Sequence, residues 1–186
     1  MKQIWREIGE WMVLLAIAWL ASFLVRSYIV DTRVVPTGSM LPTIQLQDRL
    51  LVDKLFFKFT PLRRGDVVVF KAPPAADESD DLVKRIIGLP GETLAVHSGQ
   101  VWINNQPLVE PYIAEPPNYT FGPVRIPAGA YFVMGDNRNN SKDSHVWGFL
   151  PEQNISGRVW LRYWPLNQFG HLAGIFTILV FSYSLC

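Results

Sequence analysis

The pattern of hydrophobic and polar positions changes character once, near residue 31, and that change divides the chain. From Trp11 to Val25 no charged residue occurs, and apolar side chains fall on every side of the helix such a run would form. That run would span about 22 Å as a helix, short of a bilayer core of about 30 Å. Extending it to Val30 closes the gap, with Arg26 close enough to the end for its head group to reach the interface. The pattern predicts a transmembrane anchor over 11–30, preceded by a short tail of mixed charge over 1–10. A cleaved signal peptide is the competing reading. Glu7 and Glu10 sit badly in the basic leader such a peptide needs, and no small-x-small cleavage site follows, so a retained anchor is expected. Lys2 and Arg6 on one side are offset by Arg26 and Arg33 on the other, so charge does not orient the anchor.

Beyond residue 31 the pattern becomes short apolar or alternating runs punctuated by turns. Strands are predicted over 49–55, 66–70, 82–87, 94–97, 100–103, 130–134 and 157–163. Ser98-Gly99 joins two of them as a hairpin, a second turn falls at Asn104-Asn105, and His97 reads as a strand residue beside the hairpin turn. The proline-rich acidic stretch over 72–81 predicts a mobile, solvated loop, and the prolines over 107–123 a long extended connection. No second helix is predicted. The expected fold is mostly β, an N-terminal transmembrane helix followed by a β-rich domain over 31–170. In the tail over 171–186 the apolar part, 172–186, would reach only about 22 Å as a helix, and it is expected to lie on the membrane or pack on the β domain, a second short crossing being the alternative.

Composition narrows the function classes. A net charge of +1 gives no electrostatic case for nucleic acid. Seven tryptophans and eleven phenylalanines suit a domain that buries wide rings or rests against a membrane. The single cysteine, Cys186, rules out an intrachain disulfide, and no His/Cys cluster has metal-ligand spacing, so neither metal nor other cofactor is expected.

The candidate chemistry lies in Pro36-Thr37-Gly38-Ser39-Met40-Leu41-Pro42-Thr43-Ile44 and in one lysine downstream. A serine hydroxyl is a poor nucleophile until a nearby base takes its proton. His97, His145 and His171 lie in no triad motif, but a neutral lysine can do the same work. Lys84 sits in the apolar run Leu82-Val83-Lys84-Arg85-Ile86-Ile87, where strand alternation turns Lys84 to one face and Arg85 to the other. Taken alone, a solvated strand lysine is the plainer reading. Lysine ordinarily titrates near about 10.4, so only about one in 2,500 is neutral at pH 7. Bringing it to about 7–8 costs roughly 4 kcal/mol, which burial among Leu82, Val83, Ile86 and Met40 beside a hydroxyl partner could supply. A carboxylate contact would hold the charge on, so Asp80 and Asp81 are expected to point away. The stretch from Gly135 to His145, dense in polar residues directly after a strand, is either a turn network or a set of groups that fixes such a lysine.

Four boxes together carry a resemblance: Gly38 to Thr43, Arg64 to Phe70, Lys84 to Glu92, and Gly135 to Gly148. In this order and spacing the chain resembles the bacterial type I signal peptidases of the compact, single-anchor form. These are membrane-bound Ser-Lys endopeptidases that remove signal peptides from exported precursors through an acyl-enzyme. The resemblance implies an antiparallel β-sheet catalytic domain with Ser39 as nucleophile and Lys84 as general base. It implies an oxyanion hole of the Ser39 N–H and the Thr37 hydroxyl, Ser141 orienting the lysine, and a structural ion pair of Arg85 and Asp136. Asp143 would face an arginine two positions on; here that position is His145, so the contact would vary with pH. Small apolar subsites would be lined by Val35, Pro36, Met40, Ile44, Leu82 and Val83, with substrate added as a strand beside Lys84. The implied partners are precursor proteins bearing signal peptides and the lipid bilayer, without nucleic acid or metal. The implied location is a single-pass membrane protein with its catalytic domain on the export face, a thylakoid membrane being the alternative setting. Two other readings stand beside this one. A self-cleaving Ser-Lys repressor would need a DNA-binding domain and no anchor, and a tethered β domain used only for binding would lack Ser39 or Lys84.

Overall fold

The computed structural model describes residues 2–78 and 80–172; the tail beyond Leu172, Cys186 included, lies outside the described residues. Helix α1, Lys2–Leu24, continues through one π-helical turn, Val25–Ile29. The mixed-charge residues expected as a tail therefore belong to its first turns, since nothing among them stops a helix. Every side chain from Glu7 to Arg26 is exposed, and among the described residues one stretch, Glu7–Ile29, is long and apolar enough to cross a membrane, with mean hydropathy 2.0. An apolar helix that is bare on all sides needs an apolar surround.

The chain leaves the helix directly into β1, Val30–Val34, which pairs antiparallel with β2, Arg49–Asp53, so that Val30 faces Asp53 and Val34 faces Arg49. β3 (Val67–Lys71) and β4 (Asp81–Gly88) follow, then β5 (Thr93–His97), β6 (Gln100–Ile103), β7 (Gln106–Pro107) and β8 (Phe121–Arg125). β9 (Ala130–Met134) leads to a single helical turn, α2 (Ser144–Trp147), and the last described strands are β10 (Leu150–Pro151), β11 (Ile155–Trp164) and β12 (Gly170–His171). The larger sheet has the order β1-β2-β11-β3-β4-β9-β10 with β12 on β11, and the smaller has β7-β6-β5-β8. All pairings are antiparallel.

β3 explains why the larger sheet is buried on both faces. Its run Val67-Val68-Val69-Phe70 is no more than 1% exposed at any position. Val68 and Phe70 join a cluster with Ile86, Val133 and Trp147, while Val67 and Val69 join another with Val35, Met40, Ile44 and Leu50. A third cluster, around Ile87, Leu94 and Phe132, joins the two sheets. β4 pairs with β3 from Asp81 to Arg85 but with β9 only from Arg85 onward. Residues 81–84 thus present one edge that no described strand covers.

Besides the one-turn helix α2, a second helix where none was expected, three features depart from the sequence reading. β1 is absent from it because an edge strand with Asp31, Thr32 and Arg33 in sequence carries no apolar alternation. β8 begins within the expected connection and runs past its end; Pro123 is tolerated there because β8 is an edge of its sheet. The acidic loop is not solvated throughout, since the 3-10 turn Pro74–Ala76 buries Ala76 completely and Asp81 already belongs to β4.

Candidate active site

The segment between β1 and β2 is closed at its neck, where the Val35 N–H donates to the Asp48 carbonyl (3.0 Å) and the Gln47 N–H to the Val35 carbonyl (2.9 Å). Met40 and Ile44, 1% and 0% exposed, anchor it in the core. Arg162 ties it to β11, donating to the Asp48 carboxylate (2.9 Å) and the Thr43 carbonyl (3.1 Å). From the other side, Asn137 donates its backbone N–H to the Ser39 carbonyl (3.1 Å) and its side-chain amide to the Gly38 carbonyl (3.2 Å). Gly135 permits this approach: a Cβ there would collide with the Ser39 carbonyl and the Ser141 hydroxyl. Sequence reasoning did not single out Asn137; its only signal was a polar residue two positions after a glycine that ends an apolar strand.

On this turn the Ser39 Oγ accepts a hydrogen bond from Lys84 Nζ at 2.6 Å. The Thr37 Oγ1 lies 3.4 Å from the same oxygen. Lys84 is 3% exposed, and burial pushes its pKa below the ordinary lysine value against the opposing pull of Asp143, Asp136 and Glu78. Asp81 is turned away to Arg33 at 3.0 Å, and neither Asp80 nor Asp81 is among the carboxylates that bear on the amine. Ser141 differs from its expected role. Its Oγ is buried without any hydrogen-bond partner and makes no bond to Lys84.

Arg85, on the face opposite Lys84, donates Nε and Nη2 to the two oxygens of Asp136 (2.8 and 2.7 Å) and Nη1 to the Gly65 carbonyl (2.8 Å). Its guanidinium also lies 4.3 Å from the centre of the Tyr112 ring. A second buried fork was not anticipated: Arg138 holds Glu110 through two bonds (2.6 and 2.7 Å) and donates Nε to the Gly135 carbonyl (3.0 Å). Tyr112 donates to Glu110 at 2.8 Å, and burial, reinforced by that carboxylate, pushes its phenol pKa up. The connection before β8 is thereby clamped onto the loop that holds Ser39. Asp143 is fully buried and caps α2; it accepts the Gly135 N–H (2.9 Å), the His145 N–H (3.3 Å) and a contact to His145 Nδ1 (2.7 Å).

The six expected lining residues do not share one surface. Val35, Met40 and Ile44 are at most 2% exposed and lie within one core cluster. Pro36 and Val83 line an open groove of about 420 Å³ with Arg33, Val34, Val69, Asp80 and Asp81. Leu82 packs on the opposite side of β4, against the Phe70 and Ile86 cluster. Among the described residues, no group of three or more His, Cys, Asp or Glu side chains could hold a metal ion.

Compared with known proteins, residues 8–164 match the family model described as signal peptidase, peptidase S26. Signal peptidase I of Leptolyngbya laminosa is 48% identical over 153 residues, covering 80% of this chain and 75% of the relative. Probable signal peptidase I-1 of Synechocystis is 46% identical over 178 residues, 93% of this chain and 90% of the relative. The crystal structure of a signal peptidase I from Enterococcus faecalis V583 is 31% identical with a TM-score of 0.46, covering 53% of this chain and 96% of that one.

Proposed function

Because the chain belongs to the signal peptidase family, peptidase S26, and is a peptidase of the kind that removes signal peptides, we propose that it works through a Ser39–Lys84 dyad and an acyl-enzyme. The observation that carries this reading is the 2.6 Å contact between Lys84 Nζ and Ser39 Oγ, made by an amine that is almost wholly buried. In the proposed sequence, neutral Lys84 takes the Ser39 proton as the hydroxyl attacks the scissile carbonyl. The negative oxygen is held by the Ser39 N–H and the Thr37 hydroxyl. The lysine then gives its proton to the leaving amine, and a water activated by the same lysine releases the acyl group. Substrate would lie along the uncovered edge of β4 at residues 81–84, with a small side chain entering the groove beside Pro36 and Val83.

The exposed apolar helix supports a membrane-anchored enzyme, with the anchor over 11–30 and the catalytic domain over 31–170 held on the export side, where precursors emerge. Detergent-solubilised protein incubated with a signal-peptide-bearing precursor tests the function. Mass analysis should give a single cut after a small residue at the end of the signal peptide. An intact precursor, or scattered cuts within the mature part, would overturn the reading.

A pH dependence follows from the direction of the Lys84 shift. The protonated amine cannot accept from Ser39, so kcat/KM should rise about tenfold per pH unit below the lowered Lys84 pKa and level off above it. A steady-state profile in constant ionic strength checks this; a rate flat from about pH 6 to about pH 9 would count against a lysine base.

A further inference from the structure

Two free strand edges are tied together at one end of the groove beside the dyad. β1 stands at the end of the larger sheet, four places along from β4, and its outer edge is covered by no described strand. The curl of that sheet nevertheless brings Arg33 Nη2 of β1 to 3.0 Å from the Asp81 carboxylate on the uncovered edge of β4. The guanidinium is held from a second direction as well. Its Nε donates to Asp31 at 3.1 Å, and Asp31 is itself fixed by accepting the Thr32 N–H at 2.8 Å. The Arg33 and Asp81 side chains are 41% and 25% exposed, and an ion pair so open to water adds little to stability. Its consequence is positional: a planar, charged group is held across the gap between the two edges.

That gap is the groove of about 420 Å³ along which the substrate strand would lie. Val34, Pro36, Val69 and Val83 give it an apolar wall, and Arg33 and Asp81 give it a charged one. The direction of a bound strand follows from the covered part of β4. From Arg85 onward β9 takes the edge, so a strand that starts beside Lys84 extends toward Asp81. Arg33 lies on the strand that leaves the anchor directly, so the Asp81 end is the one a signal peptide reaches from the membrane. With the attacked residue at Ser39 and a rise of about 3.3 Å per residue, the side chain two positions before it lies about 7 Å nearer the ion pair and points the same way.

We infer that Arg33 is a specificity-determining residue: paired with Asp81, it walls the end of the groove and limits the side chain a substrate can carry two positions before the attacked residue. The inference rests on the proposed site at Ser39 and on substrate binding along the β4 edge, and it adds the group that sets length there. A small side chain stops short of the ion pair. A longer apolar one, such as leucine or phenylalanine, has to displace a guanidinium held by two carboxylates, and it leaves those charges without a partner. With Arg33 removed, the groove opens at that end, and a longer side chain can lie along Val34, Val69 and Val83.

The test uses full-length protein in detergent and one precursor that carries alanine, valine, leucine or phenylalanine two positions before the attacked residue. Arg33→Ala should raise kcat/KM for the leucine precursor relative to the alanine one by about tenfold or more, the scale of a methylene or two in an apolar subsite. Asp81→Ala, which removes the partner on β4 and leaves the arginine at full length, should move the same ratio in the same direction. Reading a ratio cancels any general loss of fold or activity, which lowers both precursors alike. The same side chains placed one position before the attacked residue point away from the groove, and their ratio should stay where it is in the parent. An unchanged leucine-to-alanine ratio in Arg33→Ala, or an equal change at both substrate positions, would overturn the inference. A rise in Arg33→Ala with none in Asp81→Ala would also overturn it, because the wall would then be the arginine's bulk without the pair. Failure of the dyad is a separate result, seen as surviving activity in a Lys84→Met enzyme.

Discussion

Lys84→Met is expected to lower precursor cleavage by about 10⁴-fold or more while leaving a folded protein. Methionine fills nearly the same volume at the 3%-exposed position and removes only the amine. Without it Ser39 Oγ keeps its place but has no group to take its proton, because Thr37 Oγ1, 3.4 Å away, is itself a hydroxyl of similar acidity. Ser39→Ala should fall by a comparable factor, and the two losses should not add, since both remove the same step. Stability should move the other way. Burial lowers the Lys84 pKa, so between that lowered value and the model-peptide value of 10.5 the unfolded chain binds more protons than the folded one. The lysine's contribution to stability therefore improves as pH rises through that window, and below it the full cost of the buried amine is present. Lys84→Met should melt above the parent at about pH 6, with the gap closing toward high pH. Thermal melts at two pH values, run beside the cleavage assay, separate loss of chemistry from loss of fold. Strong activity in the purified variant would remove the dyad from the mechanism.

How far these features were legible in the sequence follows the range of the interactions that make them. The strands at 100–103 and 130–134 match the structure to the residue, because each is a run whose own side chains face a core. The Lys84 position was legible for the same reason: a cation within an apolar strand is visible locally. The unread elements are those whose stability comes from elsewhere. β1 is held by pairing to β2, and β8 is a glycine-proline strand held by β5. Likewise Arg138 and Glu110 are 28 positions apart, in loops without period, and only the topology brings them together. The lining residues are spread over more than one surface for a subtler reason. Alternation puts Leu82 and Val83 on opposite faces of β4, so one apolar run cannot supply both to the same subsite. Ser141 shows the limit of carrying a role over by motif: its hydroxyl is buried where the box puts it, but it makes no bond to the amine.

Arg85→Met should cost about 3–5 kcal/mol of stability, the range found when one partner of a buried ion pair is removed. Three of the guanidinium's contacts are hydrogen bonds to Asp136 and to the Gly65 carbonyl, at 2.7–2.8 Å, and the pair is 3% and 0% exposed. Deleting the arginine strands a charged Asp136 with no water to replace it, which costs more than the pair itself contributes. The stacking of Arg85 on Tyr112 is lost as well, so the Glu110–Tyr112 clamp loosens on its open side. The damage should reach the nucleophile by a short path. Asp136 immediately precedes Asn137, whose two hydrogen bonds hold the carbonyls of Gly38 and Ser39, so a shift at 136 moves the turn that aims Ser39. Denaturant midpoints in detergent measure the stability loss, and a drop in kcat at saturating precursor measures the misplacement. The double change Arg85→Met with Asp136→Leu should recover a substantial part of the lost stability, because it leaves no unpaired charge behind. It should recover much less of the activity, because the backbone bonds of Asn137 depend on the geometry the fork imposes. A double variant as unstable as the single one would mean that packing around Tyr112, and not the stranded carboxylate, sets the cost.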